Sequence, residues 1–242
     1  MGLDRDTTFT WYGHACWEVR TPGGKTIIFD PWFGNPRSPK SADQVGQCDL
    51  LLVSHGHGDH FGDALSIASR TRPAWPCIHE LSLWLGRNYA HKDTLIGMNK
   101  GGTVEAAGLK VTMVRADHSG GDLYAGAEAP IYLGEPTGLI VELENGLKVY
   151  FAGDTDVFGD MRLIGERFGP DVAMLPIGGH YTMDPKAAAL ATELLGVKHV
   201  LPMHYGTFPI LAGTPDELRA ELAGRGLGDV EVHAVEPGGT VS

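Results

Sequence analysis

The sequence predicts a mixed α/β (α+β) protein in which two β-sheets lie between outer layers of helices. Two observations carry this. Short apolar runs arrive in two batches with helical patterns interleaved, and the two batches echo each other. Phe29-Asp30 precedes Asp49-Leu-Leu-Leu-Val-Ser by the same 20 residues that separate Phe151 from Asp171-Val-Ala-Met-Leu-Pro. Length and composition set the scale: 242 residues, 43 % of them hydrophobic, suffice for one large core, so residues 1–242 read as a single domain.

Thr8 to Tyr12, Ala15 to Arg20 and Lys25 to Phe29 read as strands, separated by Gly13-His14 and by the turn Thr21-Pro-Gly-Gly24. Leu50 to Val53 is a short continuous apolar run between turn residues, the pattern of a buried strand. Helical patterns follow near Asp63 to Arg70 and Leu81 to Ala90, then strands near residues 95, 103 and 109 to 115. The second batch gives strands at 138 to 143 and 147 to 152, a helix at 160 to 168 and a strand at 172 to 176. Asp184-Pro185 is a helix start, with Asp as N-cap and Pro in the first turn of a helix over Lys186 to Leu195. A strand leads into His204, Thr214-Pro-Asp-Glu opens the last helix, and Val230 to Val235 is a final strand.

Chemistry concentrates at residues 55 to 60, His-Gly-His-Gly-Asp-His, directly after the buried run at Leu50. That places three imidazoles and a carboxylate at the C-terminal end of a strand, where open α/β sheets carry their sites. Gly56 and Gly58 allow the tight turns that let neighbouring side chains converge. Imidazole suits zinc, iron, nickel and manganese, and carboxylate the harder ions. His55 and His57, two apart, can point one way, whereas Asp59 and His60 follow the turn and face a second position. Further ligands are expected at the ends of later strands. Three candidates appear there: His118 after Leu109–Arg115, Asp154 in Phe151-Ala-Gly-Asp-Thr, and His204 in Val200-Leu-Pro-Met-His-Tyr-Gly-Thr.

This series, HxHxDH followed by a lone His, Gly-Asp-Thr and a C-terminal His, resembles the metallo-β-lactamase superfamily from about Thr8 to Val235. The resemblance implies a pseudo-twofold, four-layer αββα sandwich with the site at one edge. It implies two divalent ions, zinc first with manganese, iron or nickel as alternatives. His55, His57 and His118 would hold one, Asp59, His60 and His204 the other, and Asp154 would bridge them. Gly13-His14, Asp30-Pro31-Trp32, Pro176-Ile-Gly-Gly-His180 and Met203-His-Tyr-Gly-Thr-Phe208 resemble a narrower branch. These are small bacterial metal-dependent hydrolases related to L-ascorbate-6-phosphate lactonase and, more distantly, to the phospholipase D that cleaves N-acyl-phosphatidylethanolamines.

The expected chemistry is hydrolysis of a small ester, lactone or phosphodiester by a metal-bridging hydroxide. No Gly-x-Ser-x-Gly nucleophile elbow is present. Asp59 is the candidate acid/base. His180, at the position that mirrors the ligand loop, is expected to contact substrate or donate a proton. His14 is a candidate for substrate contact or for support of a ligand. Asp30 is expected to orient a ligand histidine through its distal N–H. Trp32 and Phe33 are candidates for an apolar rim, and residues 119–138, with Tyr124 and Tyr132, for a lid or pocket wall. His79, His91, His199 and His233 have no ligand neighbours in sequence and read as ordinary surface or core residues. The alternative is a redox enzyme of the same fold: mononuclear iron dioxygenases keep HxHxDH, whereas flavodiiron-type relatives replace the second His with Glu and carry a flavin domain.

A net charge of −11 without a basic run argues against a nucleic-acid surface. No stretch of eighteen apolar residues argues for membrane insertion, and Met1-Gly-Leu-Asp-Arg-Asp is no secretory leader, so a cytoplasmic enzyme for a small molecule is expected. Cys16, Cys48 and Cys77 read as small buried side chains of a reducing compartment. A homo-oligomer is compatible with all of this.

Overall fold

The computed structural model describes residue 3, residues 6–122 and residues 128–242; Tyr124 of the long loop lies outside these. The chain opens with an antiparallel meander, β1 (Thr8–Trp11), β2 (Trp17–Arg20) and β3 (Thr26–Phe29), and β3 then pairs in parallel with β4 (Leu50–Leu52). After the ligand loop come a single turn α1 (Gly58–Phe61), α2 (Ala64–Thr71), β5 (Trp75–Ile78), α3 (His79–Asn88) and β6 (Leu95–Met98). β5 was not expected, because Pro76 interrupts its pattern; the strand tolerates the proline because its one regular neighbour is β6.

The second batch begins with β7 (Thr103–Ala106) and β8 (Leu109–Arg115), followed by the two-residue strands β9 (Gly121–Asp122) and β10 (Ile131–Tyr132). It continues through β11 (Thr137–Glu142), β12 (Lys148–Phe151), α4 (Met161–Phe168), β13 (Val172–Pro176), α5 (Pro185–Leu195), β14 (His199–Met203) and α6 (Pro215–Gly224). The last strand predicted at 230–235 shrinks to β15 (Glu231–Val232), and the unforeseen β16 (Thr240–Val241) returns to pair with β1. One sheet runs β16-β1-β2-β3-β4 and the other β15-β14-β13-β12-β11-β8-β7.

Alternation along the strands explains the layering. Val111, Met113, Leu139, Val141, Val149, Phe151, Met174 and Leu201 join the core of the first sheet. Their neighbours of opposite parity, Val114, Ile140, Tyr150, Ala173, Leu175 and Val200, pack with Ile164 of α4, Ala188 and Leu195 of α5 and Leu218 of α6. Ile67 and Ala68 of α2 and Leu81 and Leu85 of α3 join the core on the first sheet's side. The predicted helix starts recur: the Asp184 carboxylate accepts from the Ala187 N–H at 2.8 Å, and Thr214 forms a capping box with Glu217.

The sequence echo has a physical counterpart. Asp49 Oδ2 accepts from the Thr26 N–H at 2.8 Å, and Asp171 Oδ2 accepts from the Lys148 N–H at 2.9 Å. Each aspartate thus ties the start of one parallel strand to the start of the strand before it, in β3–β4 and β12–β13 alike. Phe29 and Phe151 meet between the sheets with ring centroids 4.7 Å apart. All three cysteines are free and buried, as expected. Among the described residues no helix is long and apolar enough to cross a membrane.

Candidate metal centre

The loops after β3, β4, β8, β12 and β14 converge at one edge of the sandwich and bring all seven predicted ligands together. His57 caps the single turn α1, whose Gly58 N–H donates to Asp122 Oδ2 at 2.7 Å. His60, on that turn, keeps its ring 4.3 Å from that of His55. The donor atoms of His55, His57 and His118 gather in one group and those of His14, Asp59, His60 and His204 in a second. Asp154 lies between: its Oδ2 is 3.2 Å from His60 Nε2, 3.1 Å from His204 Nε2 and 3.6 Å from His118 Nε2.

Backbone strain collects here. Among the described residues, four of the seven non-glycines with positive φ are His14, Asp30, His180 and His204. Two glycines admit close approaches. A Cβ on Gly56 would come within 2.8 Å of Leu133, and one on Gly153 within 2.5 Å of Ser54 Cβ. Of the described residues of the long loop, Asp122 bonds the ligand loop and buried Leu133 packs on it, while Tyr132 is exposed.

Asp30 faces two of the histidines. The fully buried carboxylate accepts from His60 Nδ1–H at 2.6 Å, from the Ser54 N–H at 2.7 Å and from the Ser54 hydroxyl at 2.6 Å. The Ser54 hydroxyl has one hydrogen, which Asp30 takes, so Ser54 Oγ accepts from His55 Nδ1–H at 2.9 Å. One carboxylate thereby fixes the tautomers of two histidines and leaves both Nε2 lone pairs for a ligand role. Sequence reasoning missed Ser54, although it directly precedes His55.

His14 is fully buried with both ring nitrogens engaged: Nδ1 is 2.9 Å from Thr207 Oγ1 and Nε2 is 3.0 Å from Asp59 Oδ2. Of the two roles open to His14 in sequence, this geometry matches support of Asp59. Thr207, which completes this chain, was also missed, though it sits in the Met203–Phe208 stretch. Trp32 lies edge-on to His14 and 6.1 Å from Phe208 in ring centroids, which gives the site an aromatic rim. Phe33 is not part of it; it is buried against Tyr12. His180 joins none of the ligands by a hydrogen bond or ring contact; it packs edge-on against exposed Tyr181.

The electrostatics suit a cation. Burial raises the Asp154 carboxyl, but His204 and His60 outweigh it and hold the group well below the usual carboxylate range. Burial disfavours charge on His60, yet Asp154 and Asp30 on either side raise its pKa well above the usual value. Burial drives His55 well down, so it is neutral and able to ligate. Buried His60 Nε2, both nitrogens of His204 and Asp154 Oδ1 have no hydrogen-bond partner. Leaving such groups unpaired costs about 1–3 kcal/mol each. Orphaned donors of this chemistry around one carboxylate fit divalent metal.

Residues 25–205 match the family described as a Beta-lactamase superfamily domain. A UPF0173 metal-dependent hydrolase of Rubrobacter xylanophilus is 47 % identical over 233 residues, covering 96 % of this chain and 95 % of that protein. Another, from Koribacter versatilis, is 44 % identical over 234 residues, covering 96 % and 97 %. Among solved structures, Igni18, a metallo hydrolase from the hyperthermophilic archaeon Ignicoccus hospitalis, superposes with a TM-score of 0.84 at 39 % identity over 97 % of each chain. With its ligand series, paired sheets and these relatives, the chain belongs to the metallo-β-lactamase superfamily.

Proposed function

We propose that the chain is a binuclear metal-dependent hydrolase that cleaves a small ester, lactone or phosphodiester in a reducing, cytoplasmic compartment. The observation that supports this most is the convergence on Asp154 of His118 from one ligand group and of His60 and His204 from the other. His55, His57 and His118 would hold one ion and Asp59, His60 and His204 the other, with Asp154 between. Zinc suits this imidazole-rich set, and manganese, iron or nickel accept the same donors. Two such ions supply a water-derived nucleophile at neutral pH and polarise the substrate oxygen.

The chain's own residues supply the rest. Asp59 is 36 % exposed at its side chain, whereas Asp154 is 3 % exposed. His14 holds Asp59 Oδ2, while Oδ1 takes no hydrogen bond from any described residue. Asp59 is therefore the carboxylate placed to accept a proton during turnover. Asp154 offsets positive charge, and the Trp32–Phe208 rim gives an apolar part of the substrate a surface. His180, strained at φ +61°, is the candidate for leaving-group protonation.

The test is metal analysis of reconstituted protein together with an ester, lactone and phosphodiester screen on wild type and Asp59→Ala. Two ions per wild-type chain, fewer in the variant, and hydrolysis lost with Asp59 are expected. One ion or fewer per wild-type chain, or wild-type turnover in Asp59→Ala, would overturn the reading. Oxygen consumption with a persulfide would favour the redox alternative instead.

A further inference from the structure

His199 and His233 read as isolated in sequence, but the fold joins them. β14 and β15 are parallel, and His199 is the register partner of Glu231. Side chains two apart on a strand share a face, so His233 falls beside Glu231 and next to His199. His199 Nδ1 lies 3.0 Å from His233 Nε2, and Glu231 Oε2 lies 4.0 Å and 3.8 Å from these two nitrogens. Both imidazoles are largely buried, at 12 % and 18 % side-chain exposure, while Glu231 is half exposed.

We propose that His199, His233 and Glu231 form a separate metal site for a borderline divalent ion such as zinc, nickel or copper. Two imidazoles and one carboxylate are donors such ions prefer and hard ions such as magnesium do not. Ligand atoms on a tetrahedral ion with bonds of ~2.0–2.1 Å stand about 3.3 Å apart. The three observed separations bracket that value, so small side-chain rotations suffice. Three protein ligands leave a coordination position open. The nearby cation does not oppose the ion freely: Arg219 is held by Asp216 Oδ1 at 2.7 Å and by the Val232 carbonyl at 2.9 Å.

This site is distinct from the candidate active centre. His199 and His204 stand at opposite ends of β14, about 16 Å apart at ~3.3 Å per residue. A bound ion would clamp the two-residue edge strand β15 onto β14 and so fasten the chain between α6 and β16.

The experiment compares metal content per chain, at graded free zinc, in wild type, His233→Gln and Glu231→Gln. His233→Gln keeps a hydrogen-bonding group beside His199, and Glu231→Gln keeps the side-chain shape. Wild type should bind one more equivalent than either variant, with hydrolytic activity unchanged. Copper-loaded wild type should also show two-nitrogen hyperfine coupling that His233→Gln lacks. Because the readout is a difference, it holds whatever the number of ions at the active centre. Equal metal content in all three proteins would overturn the site and leave an ordinary His–His hydrogen bond. Should a variant fail to fold, histidine ring resonances of wild type decide: zinc must shift both His199 and His233, and unshifted rings refute the proposal.

Discussion

Asp30→Asn is the sharpest probe of the metal centre, because it alters one charge and almost no volume. The carboxylate accepts three short bonds, at 2.7, 2.6 and 2.6 Å. A carboxamide accepts on one side only. With its NH₂ towards Ser54 N–H, two donors would face each other in a dry interior. With its NH₂ on the other side, Ser54 can turn its hydroxyl towards His55, and His60 Nδ1 must become an acceptor. The second arrangement is cheaper, and it moves the protons of both histidines onto Nε2, where lone pairs are needed. Reversing that costs about one charge-assisted hydrogen bond, ~1.5–3 kcal/mol. At ~1.4 kcal/mol per tenfold, metal affinity should fall about 10–100-fold. Competition with a chromophoric chelator measures this directly, with circular dichroism as the control for folding. Wild-type affinity for every ion in a folded Asp30→Asn protein would refute the tautomer argument.

Other perturbations probe different parts of the site. His180→Ala should lower turnover roughly 10²–10⁴-fold if the imidazole protonates the leaving group, and metal analysis should find its ions retained; lost metal would make His180 a ligand instead. Gly153→Ala combines a left-handed φ of +61° with a Cβ 2.5 Å from Ser54 Cβ, and denaturant melts should show a loss of about 3 kcal/mol. Burial lowers His14 from 6.5 to about 4 despite its bond to Asp59. Its contribution to the stability of metal-free protein is therefore complete above pH 6.5 and lost as pH falls to about 4, up to ~3 kcal/mol. His14→Gln should flatten the stability profile of chelated protein across that window, and an unchanged slope would assign the acid sensitivity to other groups.

The strands that carry ligands were legible because each couples an apolar run to a turn with a polar residue of unmistakable chemistry. β4 before His55, β8 before His118 and β12 before Asp154 all lie where the pattern puts them. β5 and β16 were not legible: Pro76 breaks the first pattern, and the second is two residues whose pairing with β1 is a contact across the whole chain. His14 was ambiguous because sequence does not say which way a buried ring faces. Thr207 and Asp59 decide that, from loops far apart in the chain.

By itself the sequence determined the fold class, the spacing-encoded ligand loop and the residue types able to hold metal, since periodicity and donor chemistry are local properties. Only the tertiary structure decided what those residues face. It set Asp30 and Ser54 behind two histidines, placed His14 against Asp59, laid Leu133 of a distant loop on Gly56, and brought His199 to His233. Each of these depends on strand register and loop closure, which join positions tens of residues apart and leave no periodic trace in the chain.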